Sequence, residues 1–287
     1  MVLNNIKSLN GIIHKYNGYI IDLCGVMHNG QELYDTSVAA IELLRANNKK
    51  IIFLSNAPRP STITIQSLKK LGFEIKDEII ITSGDLVREQ LSNPTDENFS
   101  KFGKKYYFLG YDKNPNLIAG INSSFVRVED LNSADFLLLA AYITDEEKNK
   151  YGFGLYDEIL KEAADRNLIA VCANPDKIAP QGSGYNYPAG TFSKRYEEMG
   201  GKVCYYGKPH ENAYEKAFSI FDKMGIEKSN ILAIGDSLET DVLGGNKMNI
   251  DSLLLKWGTH RELNEGELTD LVNKLKINPT YLCEGFK

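Results

Sequence analysis

Short apolar runs alternate with amphipathic stretches along nearly the whole chain. The apolar runs fall at Tyr19–Ile21, Ile51–Leu54, Ile79–Thr82, Tyr106–Leu109, Phe136–Leu139, Leu168–Cys172, Val203–Tyr206, Ile231–Ile234 and Ser252–Leu255. Between them, Ser37–Ala46, Thr64–Leu71, Tyr156–Arg166, Glu211–Phe221 and Val242–Met248 carry helical spacing. Strand–helix–strand alternation predicts an α/β protein with a doubly wound parallel sheet and helices on both faces. No internal repeat or low-complexity segment interrupts the pattern.

The middle of the chain reads differently. From about Asp85 to Tyr187 the loops become more polar, as in Ser92–Ser100 and Asp112–Asn116. The stretch Pro180–Gly190 is rich in glycine and tyrosine and has no periodicity, as expected of a connection between domains or a functional loop. The expected organisation is therefore a core formed by residues 1–85 and 188–287, with an inserted α/β domain over 86–187.

Composition narrows the class. A chain of 287 residues favours two domains, and 43% hydrophobic with 25% charged residues is ordinary for a globular protein. The formal charge of −5 repels polyanions, and the small basic cluster of Lys101, Lys104 and Lys105 reads as a solvated face. Nucleic acid is not expected as a partner, and an anionic substrate needs a locally positive pocket. Cys24, Cys172, Cys204 and Cys283 form no C-x-x-C pair, which suits buried thiols in a reducing compartment. Residues 1–17 carry no signal-peptide pattern, and the run Phe136–Ile143 is too short to span a bilayer. A cytoplasmic protein is expected, in which the sequons at Asn98 and Asn122 play no part.

The informative residues follow four of the apolar runs. Tyr19–Ile21 delivers Asp22, Ile51–Leu54 delivers Ser55 and Asn56, Val203–Gly207 delivers Lys208, and Ile231–Gly235 delivers Asp236. Ligands of open parallel sheets bind beyond the carboxyl ends of the strands, so these groups are expected around one crevice. Two carboxylates, a hydroxyl and an ammonium suit phosphoryl transfer to a carboxylate nucleophile. Taken singly, each has a plain reading as a helix cap or turn residue. Lys208 is no P-loop lysine, because Pro209 stands where Ser or Thr belongs.

In this order, the motifs resemble those of the haloacid dehalogenase superfamily. Asp22-Leu23-Cys24-Gly25-Val26 matches the first motif, and Ser55 with Asn56 the second. Gly207-Lys208-Pro209 matches the third, and Gly235, Asp236, Thr240 and Asp241 the fourth. The ~150 residues between the second and third motifs look like the large cap of the class IIA subgroup, whose sugar and p-nitrophenyl phosphatases share this layout. Ala173-Asn174-Pro175-Asp176 resembles a string of that subgroup. The resemblance implies a Rossmann-like core with an inserted cap. It also implies an Mg²⁺-dependent phosphomonoesterase acting on a small phosphorylated metabolite.

In that reading Asp22 forms an aspartyl-phosphate, and Lys208 and Ser55 orient the phosphoryl oxygens. Asp22, Asp236 and the backbone carbonyl of Cys24 hold the metal, while Asp241 orients Asp236 or a metal-bound water. Asn56, Asn174 and Asp176 are assigned to the substrate or its phosphate, and Tyr142, Tyr185 and Tyr187 are cap residues that would face the site. No membrane partner is implied, and a homodimer is the candidate assembly.

One position departs from the pattern. The phosphatases carry a second aspartate two residues after the nucleophile, where it protonates the leaving group and then activates water; here it is Cys24. General acid–base help is worth about 10²–10⁴ in rate, and a thiol of reference pKa about 8.5 beside carboxylates is a poor substitute. His28 is either a replacement or a loop histidine with no part in the chemistry. The alternatives are a phosphatase restricted to good leaving groups and a phosphate-ligand-binding or regulatory protein that keeps the metal site. A signalling receiver domain is excluded because Lys208 precedes Asp236 and the cap has no counterpart. A true haloacid dehalogenase is disfavoured by the metal-binding string of the fourth motif.

Overall fold

The computed structural model describes residues 4–286, apart from 111–115 and 122. Part of the polar segment Asp112–Asn116 and the Asn122 sequon therefore lie outside the described residues. The chain begins with β1 (Gly18–Ile21), α1 (Asp35–Ala46), β2 (Lys50–Ser55), α2 (Ser61–Lys70), β3 (Ile79–Thr82) and α3 (Ser83–Ser92). Strand β1 pairs in parallel with β2, placing Ile21 beside Phe53, and β2 pairs in parallel with β3.

Side chains alternate across these strands as their period of two requires. Tyr19, Ile21, Ile51 and Phe53 bury against Ala40, Ile41 and Leu44 of α1. Ile20, Ile52 and Leu54 face the other side and join a different cluster. Nearly every position of these strands is buried, so they read as continuous apolar runs, as strands covered on both faces do.

The middle segment forms α4 (Glu97–Lys101), β4 (Lys105–Leu109), β5 (Val126–Val128), β6 (Phe136–Leu139), β7 (Ile143–Thr144), α5 (Asp145–Tyr151) and α6 (Asp157–Asp165). It continues with β8 (Ile169–Cys172), β9 (Ala179–Gln181), β10 (Gly184–Tyr187), α7 (Ala189–Glu198) and β11 (Lys202–Tyr205). Five of these strands make a parallel sheet in the order β11-β8-β6-β4-β5. Leu160 and Ala163 of α6 and Phe192 and Tyr196 of α7 cover one of its faces.

Two expectations are corrected here. The run Val203–Tyr206 does not enter the core sheet: β11 pairs with β8, with Val203 beside Ala170. The return to the core thus falls after β11 rather than at residue 188, because α7 and β11 both pack with the middle sheet. The stretch Pro180–Gly190 is not irregular either. Residues Ala179–Tyr187 fold into the antiparallel hairpin β9–β10, which is extended by β7.

The chain then completes the core with α8 (Glu211–Lys223), β12 (Ile231–Gly235), α9 (Leu243–Met248), β13 (Asp251–Leu255), α10 (Glu265–Leu275) and β14 (Tyr281–Cys283). The core sheet has the order β14-β13-β12-β1-β2-β3 and is parallel throughout. Helix α8 buries Ala213, Tyr214, Ala217 and Phe221 on the face opposite α1. The sheet is therefore doubly wound, and the central strands β1, β2 and β12 end together at one edge. Among the described residues, no helix is long and apolar enough to cross a membrane.

Candidate active site

Asp22 follows β1 directly, and its backbone N–H donates to the Ile234 carbonyl at 2.9 Å, which fixes it beside β12. Ser55 is the last residue of β2, and Asp236 follows the last residue of β12. Lys208 arrives from the middle sheet across Tyr206 and Gly207. Its backbone N–H donates to Asn56 Oδ1 at 2.7 Å, and Asn56 Nδ2 donates back to the Lys208 carbonyl at 2.9 Å. The Asn56 amide also donates to Asp176 Oδ1 at 2.8 Å. Asn56 thereby ties the end of a core strand to both the lysine segment and the middle domain.

The lysine head lies between two carboxylates. Lys208 Nζ is 2.6 Å from Asp22 Oδ1 and 2.7 Å from Asp241 Oδ1, with all three side chains buried. Burial alone would lower the ammonium pKa, but Asp22, Asp241 and Asp176 together hold it well above the ordinary value. Asp241 sits in a single π-helical turn, Leu238–Val242, that precedes α9, the kind of irregular turn that recurs at functional sites. Its second oxygen accepts from the Ser237 backbone N–H at 3.2 Å.

Asp236 is held from another direction. Its Oδ2 accepts from the Thr259 backbone N–H at 2.6 Å and the Thr259 hydroxyl at 2.7 Å. Gly25 has φ +86°, and a Cβ there would lie 2.1 Å from Asp236 Oδ2. Only glycine allows the loop after Asp22 to approach this carboxylate so closely.

Asp22, Asp236 and Asp241 each offer an oxygen, all within 4.8 Å of one another. Three buried carboxylates against one ammonium leave a surplus of negative charge. Burial and mutual repulsion raise Asp236 well above the ordinary carboxylate value, and Asp241 is pushed up to about 6 by burial and Asp22 against the pull of Lys208. A hard divalent cation with oxygen preference fits this donor set and would relieve the repulsion.

Cys24 and His28 line the same cavity as Asp22 and Ser55, a space of about 580 Å³. Burial, reinforced by Asp22, Asp236 and Asp176, raises the Cys24 thiol well above its usual range. The thiol donates to the Pro180 carbonyl of the hairpin at 3.5 Å. His28 Nδ1 accepts from the Gly30 backbone N–H at 2.9 Å, and burial with the nearby Arg59 pushes its pKa down to about 4. The ring is thus neutral near pH 7 with its acceptor nitrogen already engaged. Neither group is poised to take a proton.

The middle domain supplies Tyr142, Asn174 and Asp176 to the cavity wall. Asn174 Oδ1 accepts from the Asp176 backbone N–H at 3.0 Å and so shapes the turn that presents the aspartate. Burial raises the Asp176 carboxyl to about 7, with Lys208 opposing and Asp22 reinforcing the shift. Tyr185 and Tyr187 brace the hairpin instead. The Tyr187 hydroxyl donates to Asp145 at 3.0 Å and accepts from Lys148 at 2.7 Å, and Arg261 lies 4.7 Å from the Tyr185 ring centroid.

Two residues at the site escape a reading of the sequence. Thr259 was readable only as a hydroxyl after Trp257-Gly258, just beyond the apolar run of β13. Arg59 stands between Pro58 and Pro60 four residues after Ser55, and lines the cavity.

Comparisons with known proteins identify relatives of this chain. Residues 19–121 match the family model for haloacid dehalogenase-like hydrolases, and residues 205–287 match the HAD-hydrolase-like model. An acid sugar phosphatase of Staphylococcus epidermidis is 23% identical over 272 residues, covering 93% of each chain. A crystal structure of a haloacid dehalogenase-like hydrolase from Brucella suis superposes with a TM-score of 0.82 at 25% identity, covering 98% of this chain and 100% of the other. The p-nitrophenyl phosphatase of Archaeoglobus fulgidus gives a TM-score of 0.68 at 23% identity, covering 94% and 96%.

Proposed function

The chain belongs to the haloacid dehalogenase-like hydrolases and is an enzyme of their phosphatase type, and we propose that it hydrolyses small phosphate monoesters through an aspartyl-phosphate on Asp22. The observation that carries this reading is the buried Lys208 ammonium 2.6 Å from the Asp22 carboxylate, beside Asp236 and Asp241. The sugar phosphatase and p-nitrophenyl phosphatase relatives make sugar phosphates and aryl phosphates the first substrates to test.

In this mechanism an Asp22 oxygen attacks phosphorus and the bond to the leaving oxygen breaks. Water then cleaves the aspartyl-phosphate and frees inorganic phosphate. Lys208 and the Ser55 hydroxyl neutralise and orient the phosphoryl oxygens, where charge stabilisation supplies most of the catalysis. Asn56 fixes the Lys208 backbone, and Asn174 and Asp176 meet the substrate from the middle domain. Asp22, Asp236 and the Cys24 carbonyl would hold Mg²⁺, with Asp241 orienting them, and the ion would lower the repulsion between Asp22 and a phosphate dianion.

The Cys24 thiol, held protonated and bonded to Pro180, favours substrates whose leaving group needs no proton. It also favours a second reading, a phosphate-ligand binder with impaired turnover. The deciding experiment assays p-nitrophenyl phosphate and sugar phosphates with Mg²⁺ and with a chelator. The enzyme reading expects turnover that stops on chelation, and an Mg²⁺ requirement raised about tenfold or more in Asp236→Ala through loss of a ligand carboxylate. Phosphate binding without turnover would leave the binder.

A further inference from the structure

We propose that Arg59 receives a second anionic group of the substrate, so that the preferred phosphate monoester carries a carboxylate or another phosphate on its leaving group. This inference rests on the phosphatase reading above and names the substrate class within it.

Arg59 lines the cavity that also opens on Asp22, Cys24 and His28. Its Nε is buried without a hydrogen-bond partner, and its guanidinium forms no ion pair or hydrogen bond with any described residue. Desolvation lowers its pKa from the usual arginine value. An Nε taken out of water without an acceptor is costly, and the planar fork of the guanidinium is matched by a carboxylate or phosphate. Two other arginines that turn inward are paired. Arg45 holds Glu78, and Arg195 holds Asp157.

The backbone under Arg59 is firmly built. Its N–H donates to the Ala57 carbonyl at 2.9 Å, and its carbonyl accepts from the Thr82 hydroxyl at 2.7 Å. The Gly84 N–H donates to Ala57 at 3.1 Å, and a Cβ at Gly84 would fall 2.3 Å from the Arg59 nitrogen. Asp85 accepts from the Ser61 N–H through both oxygens at 3.1 Å. With Pro58 and Pro60 on either side, the stem of the side chain starts from a fixed point at the cavity wall.

Position identifies the group it would meet. Arg59, Cys24 and His28 line one cavity, and Cys24 occupies the place from which a leaving group would be protonated. The phosphoryl side is already served by Lys208 and Ser55. Arg59 therefore faces the departing part of the substrate.

The experiment compares matched pairs that differ by one anionic group. Glycerol phosphate against phosphoglycerate tests a carboxylate, and a hexose monophosphate against a hexose bisphosphate tests a second phosphate. Each pair is measured for kcat/KM with Mg²⁺ and for equilibrium binding by calorimetry. The wild type is expected to favour the more anionic member of at least one pair by about tenfold or more, as charge-assisted bidentate bonds allow. Arg59→Gln should bring that ratio close to one, and Arg59→Lys should restore part of it.

Ratios near one in the wild type, by binding as well as by turnover, would overturn the proposal. So would an unchanged preference in folded Arg59→Gln. Equal loss for both members of a pair would assign Arg59 to the transferred phosphoryl group and also overturn it. p-Nitrophenyl phosphate, which carries no second anion, reports on the phosphatase reading separately. If that substrate is not turned over, the calorimetric ratios still decide the role of Arg59.

Discussion

The Lys208 ammonium lies 2.6 Å from the Asp22 carboxylate, and this ion pair joins residues 186 positions apart at a point shielded from water. Asp241 completes a buried triad on the same nitrogen. Removing one partner of such a group strands the others, which costs about 3–5 kcal/mol. Lys208→Met is therefore expected to lower urea stability by that order and to weaken phosphate or vanadate binding. Added Mg²⁺ should recover part of the stability, because a cation among Asp22, Asp236 and Asp241 replaces the lost charge. Urea unfolding with and without Mg²⁺ measures both effects.

Asp176 gives the fold a pH dependence of known sign. Its carboxyl is raised to about 7, against about 3.9 for an unperturbed aspartate. Between those values the folded protein binds a proton that the unfolded chain does not. Stability should therefore fall as pH rises from about 4 to about 7, by at most about 1.4 kcal/mol per unit from this group. Asp176→Asn removes the titration while keeping an oxygen to accept from Asn56. Denaturant melts of the metal-free protein at pH 5 and pH 7 should show a smaller loss in the variant than in the wild type.

The core strands were legible because Tyr19–Ile21, Ile51–Leu54 and Ile231–Ile234 are buried on both faces and leave unbroken apolar runs. Asp22, Ser55 and Asp236 were legible because each follows such a run at once. Val203–Tyr206 shows where that logic stops. Its apolar run specifies a strand, but not which of two parallel sheets accepts it, and pairing with β8 puts it in the other one. The β9–β10 hairpin was hidden because Gly184–Tyr187 is too short to display an alternation and Pro180 argues against a strand interior. Thr259 and Arg59 were invisible for a different reason. Their meaning lies in what the fold brings to them, Asp236 for one and the active-site cavity for the other.

Cys24 sets the chemistry that this site can perform unaided. If only proton transfer is missing, aryl and acyl phosphates should turn over faster than sugar phosphates. Cys24→Asp should then accelerate alkyl substrates much more than aryl ones, by up to about the 10²–10⁴ that general acid–base catalysis contributes. The new carboxylate would adjoin Asp22 and Asp236 and lose the thiol bond to Pro180, so the comparison belongs on folded protein with Mg²⁺ saturating. Equal acceleration of both substrate types would mean that proton supply was not the deficit.

The most direct measurement concerns Asp22 itself. Because Cys24 is also unsuited to activate water, the covalent stage should outlast the first cleavage. Mixing the protein with p-nitrophenyl phosphate and Mg²⁺ and quenching in acid should yield protein heavier by one phosphoryl group, accompanied by a burst of p-nitrophenolate. Peptide mapping is expected to place that group on Asp22, and Asp22→Asn should show neither adduct nor burst. A phosphoryl group on another residue, or full turnover in Asp22→Asn, would contradict the account.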